Sequence, residues 1–124
     1  MSLFTIDTSR LLSSPTGTME EFQFAQEIPT DTWDDLICEG ELRMHIKLMK
    51  ETYGIECILS SVEATITIPS EGIEGKSLEI ENISREFHLK KKPIDTDDIE
   101  YVNDHDGTID LTRVIEQELL IAGL

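Results

Sequence analysis

Alternation of apolar and polar residues runs through the middle of the chain. From residue 36 to residue 48 every second position is apolar or glycine, and the positions between them from residue 39 onward are charged or histidine. This is the pattern of a strand with one buried face. The alternation restarts at Tyr53 and slips by one residue at Ser60 and Ser61. Because such a slip would turn every later side chain to the wrong face, it predicts a β-bulge there, within a long hairpin that ends at Ile68.

Shorter alternating segments predict further strands on either side of this hairpin. Residues 13–17 and 69–75 are rich in glycine, proline and serine, so they predict loops. A shift of the alternation near Asn82 indicates a second bulge. We interpret the phenylalanines as core, and Trp33 stays unassigned because it lies in a predicted loop. The alternating segments are Phe4 with Ile6, Phe22 with Phe24, and Leu78 to Leu89.

An amphipathic helix is predicted at the end of the chain. Asp110 has a short carboxylate that suits a helix N-cap, and Gly123 suits a helix end. Ile109 and Val114 stand at the two positions of a hydrophobic staple. A helix this short depends on packing for its stability, so we expect it to lie on the sheet. The residues predicted to share its apolar face are Leu111, Val114, Ile115 and Leu119.

These elements predict an α+β fold with a twisted antiparallel sheet and a C-terminal amphipathic helix packed on it. The pattern leaves open whether the sheet closes partly into a barrel. A length of 124 residues predicts one domain spanning residues 1–124. No internal repeat is recognised at this stage.

The charge balance limits the classes of partner that the protein could bind. There are 26 acidic residues against 10 basic ones, which gives a formal net charge of −16. Such a surface repels phosphate backbones, so non-specific binding of nucleic acid by the whole surface is disfavoured. The same field speeds encounter with a basic protein. On charge alone, the favoured interpretation is that the acidic surface mainly confers solubility or suits a salty cytoplasm.

Two charged segments are candidate contact sites. An acidic segment before the helix is a candidate surface for a basic partner, whereas the lysines that precede it are a candidate RNA contact. The acidic segment does not fit a calcium-binding EF-hand, because arginine would occupy the position of the bidentate glutamate. The acidic candidates are Asp95, Asp97, Asp98, Glu100, Asp104 and Asp106, and the basic candidates are Lys90, Lys91 and Lys92.

The sequence contains no motif that predicts catalysis, a cofactor or a metal. The three histidines are scattered, and no nucleophile elbow or phosphate-binding glycine loop is present. Cys38 and Cys57 are isolated within strand patterns, so we predict buried free thiols, with a disulfide as the less favoured alternative. The start of the chain lacks the pattern of a signal peptide, and no apolar run reaches membrane-spanning length, so we expect a cytoplasmic protein.

The layout resembles the YceD family, bacterial and plastid proteins associated with accumulation of large-subunit (23S) ribosomal RNA. Four segments carry the resemblance across nearly the whole chain. Two features of the family are missing here: the cysteine-bearing turn, which Pro69 to Ile73 replaces, and the cysteine-rich tail. The segments that carry it are Phe4 to Leu11, the glycine before Glu21 to Phe24, the hairpin with Gly54, Ile55 and Ala64, and Gly107 to Leu120.

This resemblance implies a role in ribosome biogenesis. Family members are often encoded beside a small basic protein of the large ribosomal subunit. We therefore expect a non-catalytic factor that supports large-subunit assembly by binding a basic ribosomal protein or a pre-ribosomal particle, and that contacts nucleic acid only indirectly. One alternative is a direct RNA-binding protein that uses Lys90 to Lys92. Another is a small enzyme or metal-dependent protein.

Overall fold

The computed structural model describes residues 3–89, 100–102 and 106–124. A five-stranded sheet and a separate two-stranded sheet contain the strands. In chain order the elements are β1 (Thr5–Asp7), α1 (Ser9–Leu12), β2 (Met19–Glu27), β3 (Ile37–Glu51), β4 (Gly54–Ile68), a 3₁₀ helix (Pro69–Glu71), β5 (Ile73–His88), β6 (Glu100–Tyr101), β7 (Thr108–Asp110) and α2 (Thr112–Gly123).

The larger sheet has the strand order β2-β3-β4-β5-β6 and is mostly antiparallel. Its exception is β6, which runs parallel to the end of β5 with Phe87 opposite Glu100. Strands β2 and β6 lie at the two ends of this order and do not pair with each other, so the described sheet is open. The predicted mostly antiparallel sheet with a C-terminal helix is confirmed, whereas partial closure into a barrel is not.

Burial along the long strands follows the predicted alternation and its slips. In β4 the buried positions change parity across Ser60 and Ser61, which are both half-buried. In β5 the parity changes across Glu81 and Asn82, and Asn82 has a φ of 57°. Asparagine tolerates this left-handed conformation better than most residues, which is why a bulge can form there.

One local prediction is wrong, and one short element was not predicted. The segment predicted as a loop up to residue 75 is shorter, because β5 already begins at Ile73. Gly75 continues that strand with a φ of 59°, so glycine marks an irregularity within the strand. The short helix α1 was not predicted, since four residues are too few to show a helical period.

One face of the long strands forms the core, together with residues of α2. Trp33 is buried with 6% of its surface exposed, so this unassigned residue belongs to the core. Phe4 and Phe87 are buried as predicted, whereas Phe22 and Phe24 are half-buried on β2. Both cysteines are buried and free, as predicted.

Helix α2 begins at Thr112, one residue later than expected if Asp110 were its N-cap. The Asp110 carboxylate accepts hydrogen bonds from the Thr112 backbone N–H at 2.9 Å and from its hydroxyl at 2.6 Å. Asp110 does so from the last position of β7, so Leu111 occupies the position directly before the helix. The predicted apolar face is confirmed, because Leu111, Val114, Ile115 and Leu119 are each at most 1% exposed.

The end of α2 packs on β4. A Cβ atom at Gly123 would lie 2.5 Å from Cδ1 of Ile66 and 3.1 Å from Cδ1 of Ile68. Gly123 is the last helical residue, as predicted, but its role is this close approach of helix to sheet. The ammonium group of Lys76 donates a hydrogen bond to the Gly123 carbonyl at 2.9 Å and so fixes the helix end to β5.

A short internal repeat, not recognised from the sequence, forms the two-stranded sheet. Residues 4–12 and 107–115 share four of nine positions, and three more differ only by serine for threonine or between branched aliphatic residues. Strands β1 and β7 pair antiparallel with Ile6 opposite Ile109, and Thr5 and Asp7 on one strand oppose Asp110 and Thr108 on the other. The pair therefore has a local pseudo-twofold axis between the two isoleucines.

The hydrogen bonds around this axis obey the same symmetry. The Thr8 backbone N–H donates to the Gly107 carbonyl at 2.8 Å, and the equivalent Leu111 N–H donates to the equivalent Phe4 carbonyl at 3.1 Å. Thr8 departs from the symmetry, because its hydroxyl donates a second hydrogen bond to the Gly107 carbonyl. The equivalent residue, Leu111, has no hydroxyl group and cannot make such a bond. The close approach of Gly107 to Ser9 leaves little room for a side chain, and its φ of 68° also favours glycine.

Two compact units can be distinguished in the chain. The first is formed by Met1–Glu21, Lys47–Ile58 and Ser84–Thr112, and the second by Phe22–Ile46, Leu59–Ile83 and Arg113–Leu124. The expectation of one domain over residues 1–124 stays a prediction. Neither described helix combines the length and apolar character needed to cross a bilayer.

Candidate functional site

Most of the residues predicted to contact a partner lie outside the described residues. This holds for Lys90, Lys91, Lys92, Asp95, Asp97, Asp98 and Asp104. Glu100 belongs to β6. The exposed carboxylate of Asp106 accepts hydrogen bonds from the Thr108 N–H at 3.1 Å and from its hydroxyl at 2.7 Å, so it supports the turn into β7.

The second unit presents a different acidic surface, on the side of its strands that faces away from the core. Four exposed glutamates from three neighbouring strands lie on it, and they alternate with buried residues such as Leu42 and Ala64. Hydroxyl side chains and one arginine lie between them. We call this surface the glutamate face, and define it by Glu39, Glu41 and Arg43 of β3, Glu63, Thr65 and Thr67 of β4, and Ser77 and Glu79 of β5.

A groove of about 420 Å³ runs over the glutamate face. Three of its carboxylates come from three different strands, so they are spread across the sheet at the usual spacing of neighbouring strands, about 4.8 Å. Carboxylates held on strands are more rigidly placed than carboxylates on loops. The residues of the face that line the groove are Glu41, Arg43, Glu63, Thr65, Ser77 and Glu79.

Hydrogen bonds order one end of the glutamate face. The Thr67 hydroxyl donates to Oε1 of Glu39 at 2.9 Å and accepts from the Gly75 N–H at 3.1 Å. Nearby, the Ser70 backbone N–H donates to the Asp35 carboxylate at 3.1 Å, and the Ser70 hydroxyl donates to the same carboxylate. These bonds hold the Glu39 carboxylate and fix the connection between β4 and β5.

Arg43 is the arginine of the glutamate face and pairs with a carboxylate of its own strand. Its Nε donates to Oε1 of Glu41 at 2.7 Å. This hydrogen bond raises the pKa of Arg43, and the charges of Glu41 and Glu63 raise it further. Both side chains of the pair are exposed, so the ion pair contributes little to stability. Either side chain can therefore exchange its partner for another charged group.

The first unit has a smaller groove of about 290 Å³ where β4 begins beside β5. Gly54 lies so close to β5 that a Cβ atom there would be 2.1 Å from the Phe87 carbonyl oxygen. Two carboxylates line the groove, Glu51 and Glu86. Burial raises the pKa of Glu51, and the negative charges of Glu86 and Glu56 raise it further. These carboxylates repel one another, so their proximity lowers the stability of the fold.

The chemical groups needed for metal or thiol chemistry do not converge in the described residues. Within residues 3–89, 100–102 and 106–124 no group of three or more His, Cys, Asp or Glu side chains is placed to hold a metal ion. Burial raises the pKa of the Cys38 thiol to about 11 and that of the Cys57 thiol to about 12, so both are protonated at neutral pH. Protonated buried thiols are poor nucleophiles.

No family model, no curated protein and no solved structure matches this chain. The resemblance to the YceD family therefore stays a prediction. The glutamate face was visible in the sequence only as charged residues between the buried positions of three strands. Neither the neighbourhood of the strands nor the open groove can be seen in the alternation.

Proposed function

We propose that this chain is a non-catalytic, cytoplasmic ribosome-biogenesis factor that binds a basic protein of the large ribosomal subunit. The observation that carries the proposal is the glutamate face, where four carboxylates on neighbouring strands stand against one guanidinium. A net charge of −16 extends this negative field over the protein as a whole. Complementary fields of this kind speed association with a cationic protein and disfavour phosphate backbones.

The choice of a ribosomal client rests on the resemblance to the YceD family. Ribosomal proteins are basic because they bind RNA, and before assembly their basic segments lack a counter-charge. An acidic protein could hold such a client until RNA replaces it. Transfer to RNA follows from the same electrostatics, because a polyphosphate carries a higher density of negative charge than a protein surface.

Titration with purified large-subunit proteins tests the proposal. We expect a complex with at least one small basic protein at low ionic strength, with affinity that falls as potassium chloride is added. Added ribosomal RNA fragments should release the client. The proposal is wrong if no such protein binds, or if binding is indifferent to salt. Direct retention of protein-free RNA, lost on changing Lys90, Lys91 and Lys92 to alanine, would instead support the RNA-binding alternative.

A further inference from the structure

We infer that the glutamate face is the docking surface, and that its occupant is an arginine- and lysine-rich segment of the client. The inference rests on the proposed function and names the part of the protein that performs it. It replaces the acidic segment around residues 95–106 as the predicted contact surface. Three features of the protein support this inference: the side of the sheet that is open, the arrangement of its charges, and the groups that lie between them.

The first step is that α2 covers the other side of the strands. Gly123 packs against Ile66 and Ile68, which alternate along β4 with Thr65 and Thr67. Since neighbouring residues of a strand point to opposite faces, the helix and the two threonines lie on opposite sides of β4. Within the described part of the second unit, the glutamates on the threonine side are exposed, and the two threonines are half-buried.

The second step is that the charges of this side are extended in space. Glu41, Glu63 and Glu79 come from three successive strands, so their attachment points span roughly 10 Å across the sheet. Among the residues that the structure describes, no three such carboxylates are placed to hold a single metal ion. Several cationic side chains of one segment can contact them, because alternate side chains of an extended peptide are about 7 Å apart.

The third step is that the groups between the carboxylates suit guanidinium and ammonium groups. Thr65 and Ser77 place their hydroxyl oxygens 3.4 Å apart across β4 and β5, inside the groove. Hydroxyl oxygens can accept further N–H bonds, and a carboxylate can bind guanidinium through two parallel hydrogen bonds. The exposed pair of Arg43 with Glu41 can open, so that an incoming arginine replaces Arg43 on this carboxylate.

Charge-matched variants test this location. Wild-type protein is titrated with a fluorescent oligo-arginine peptide at low salt, and so are two variants that each lose three negative charges within the second unit. The face variant carries Glu41→Gln, Glu63→Gln and Glu79→Gln. The control variant carries Asp31→Asn, Glu71→Gln and Glu116→Gln, which lie in a loop, in the 3₁₀ helix and on α2.

We expect the face variant to bind the peptide about tenfold more weakly than wild type, and the control variant to lose about twofold or less. Equal weakening of both variants would overturn the docking surface while leaving the proposed basic client intact. If wild type binds neither the peptide nor any ribosomal protein, the proposed function itself fails. The two failures are therefore distinguishable.

A measurement on unmodified protein removes the dependence on variant folding. Amide chemical shifts of wild type are followed while the peptide is added. The largest changes are expected at Thr65 and Ser77, which lie in the groove, and small ones at Glu116 on α2. Changes concentrated elsewhere, for example around the acidic segment at residues 95–106, would contradict the inference even if both variants were unstable.

Discussion

Ile6 and Ile109 face each other at the centre of the β1–β7 pair, and the chain on either side of them repeats the same short sequence. In both copies an aspartate ends the strand and bonds to the hydroxyl residue that begins the next helix. Two nine-residue segments with four identical positions, one near each end of the described chain, thus contribute the two strands of one antiparallel pair.

The two isoleucines are equivalent in pairing but unequal in burial. Ile109 is 1% exposed, whereas Ile6 is only half-buried. We expect Ile109→Ala to lower the free energy of unfolding by about 3 kcal/mol and Ile6→Ala to lower it by roughly half as much, since less surface is removed from the core. Urea unfolding of both variants measures the difference. Equal losses would show that the pseudo-symmetry extends to packing.

The aspartate of the first copy has a testable proton affinity. The Ser9 hydroxyl donates to Oδ1 of Asp7 at 2.7 Å and the Ser9 N–H donates to it at 2.9 Å, and these bonds lower the pKa of Asp7. A lowered pKa in the folded state means that this contribution to stability is present above the ordinary aspartate pKa of 3.8 and is lost as the pH falls through the folded value. Ser9→Ala should bring the pKa of Asp7, followed by NMR titration, back toward 3.8. Ser13→Ala is the control, because its hydroxyl donates to the Ser9 carbonyl and leaves Asp7 untouched.

Gly54 is predicted to tolerate no side chain. Its Cβ position lies 2.1 Å from the carbonyl oxygen of Phe87, and a backbone atom cannot rotate away as a side chain can. We expect Gly54→Ala to lower the free energy of unfolding by about 3 kcal/mol. Gly123→Ala should cost less, because the atom it meets is the flexible end of Ile66. Thermal denaturation of both variants would contradict this if Gly123→Ala were the more damaging.

Glu51 should become a source of instability as the pH rises. Burial, and then the charges of Glu86 and Glu56, raise its pKa from the ordinary value of 4.5. A raised pKa means that the neutral form suits the fold, so the favourable contribution is complete below pH 4.5 and is lost as the pH rises through the folded value. Glu51→Gln should therefore raise the free energy of unfolding at pH 7 slightly, by about 0.3 kcal/mol, because solvent screens the charges around this partly exposed group. Glu71→Gln, which removes one charge from an exposed residue of the 3₁₀ helix, should raise it less.

The buried thiols predict a loss of stability in alkaline solution. An unfolded thiol ionises near its ordinary pKa of 9.0, while burial raises the folded values to about 11 for Cys38 and about 12 for Cys57. The unfolded state therefore releases protons first, and the free energy of unfolding should fall between about pH 9 and about pH 12. A double variant with alanine at both positions should show a shallower fall across this range. The thiols of wild type should also react with a thiol reagent only as fast as the protein opens, and rapid labelling of the native protein would contradict their burial.

The long strands show how far the sequence could be read. Period-two alternation is found where one face of a strand is buried, and a change of its parity indicates an extra residue. For this reason the bulges at Ser60 and near Asn82 could be predicted from the sequence. The helix at the end was readable for the same reason, since its apolar residues recur at the helical period. The start of β5 was misread, because Gly72 and Gly75 resemble a loop by composition alone.

The candidate site was harder to predict from the sequence than the fold. The acidic segment drew attention because its charges are adjacent in the sequence, whereas the charges of the glutamate face are separated by buried residues and by turns. Glu41, Glu63 and Glu79 are far apart in the chain and come together only through strand pairing. Sequence distance is thus a poor guide to which charges of a sheet protein lie side by side.

The sequence by itself determined the long strands, their hairpin and the C-terminal helix, since the period of apolar residues decides between strand and helix. It also determined the sign of the charge. The tertiary structure alone decided which strands flank the hairpin, that the two Thr-Ile-Asp segments pair with each other, and that α2 covers one side of the second unit and leaves the glutamates on the other. These are contacts between residues distant in the chain, and local patterning carries no information about them.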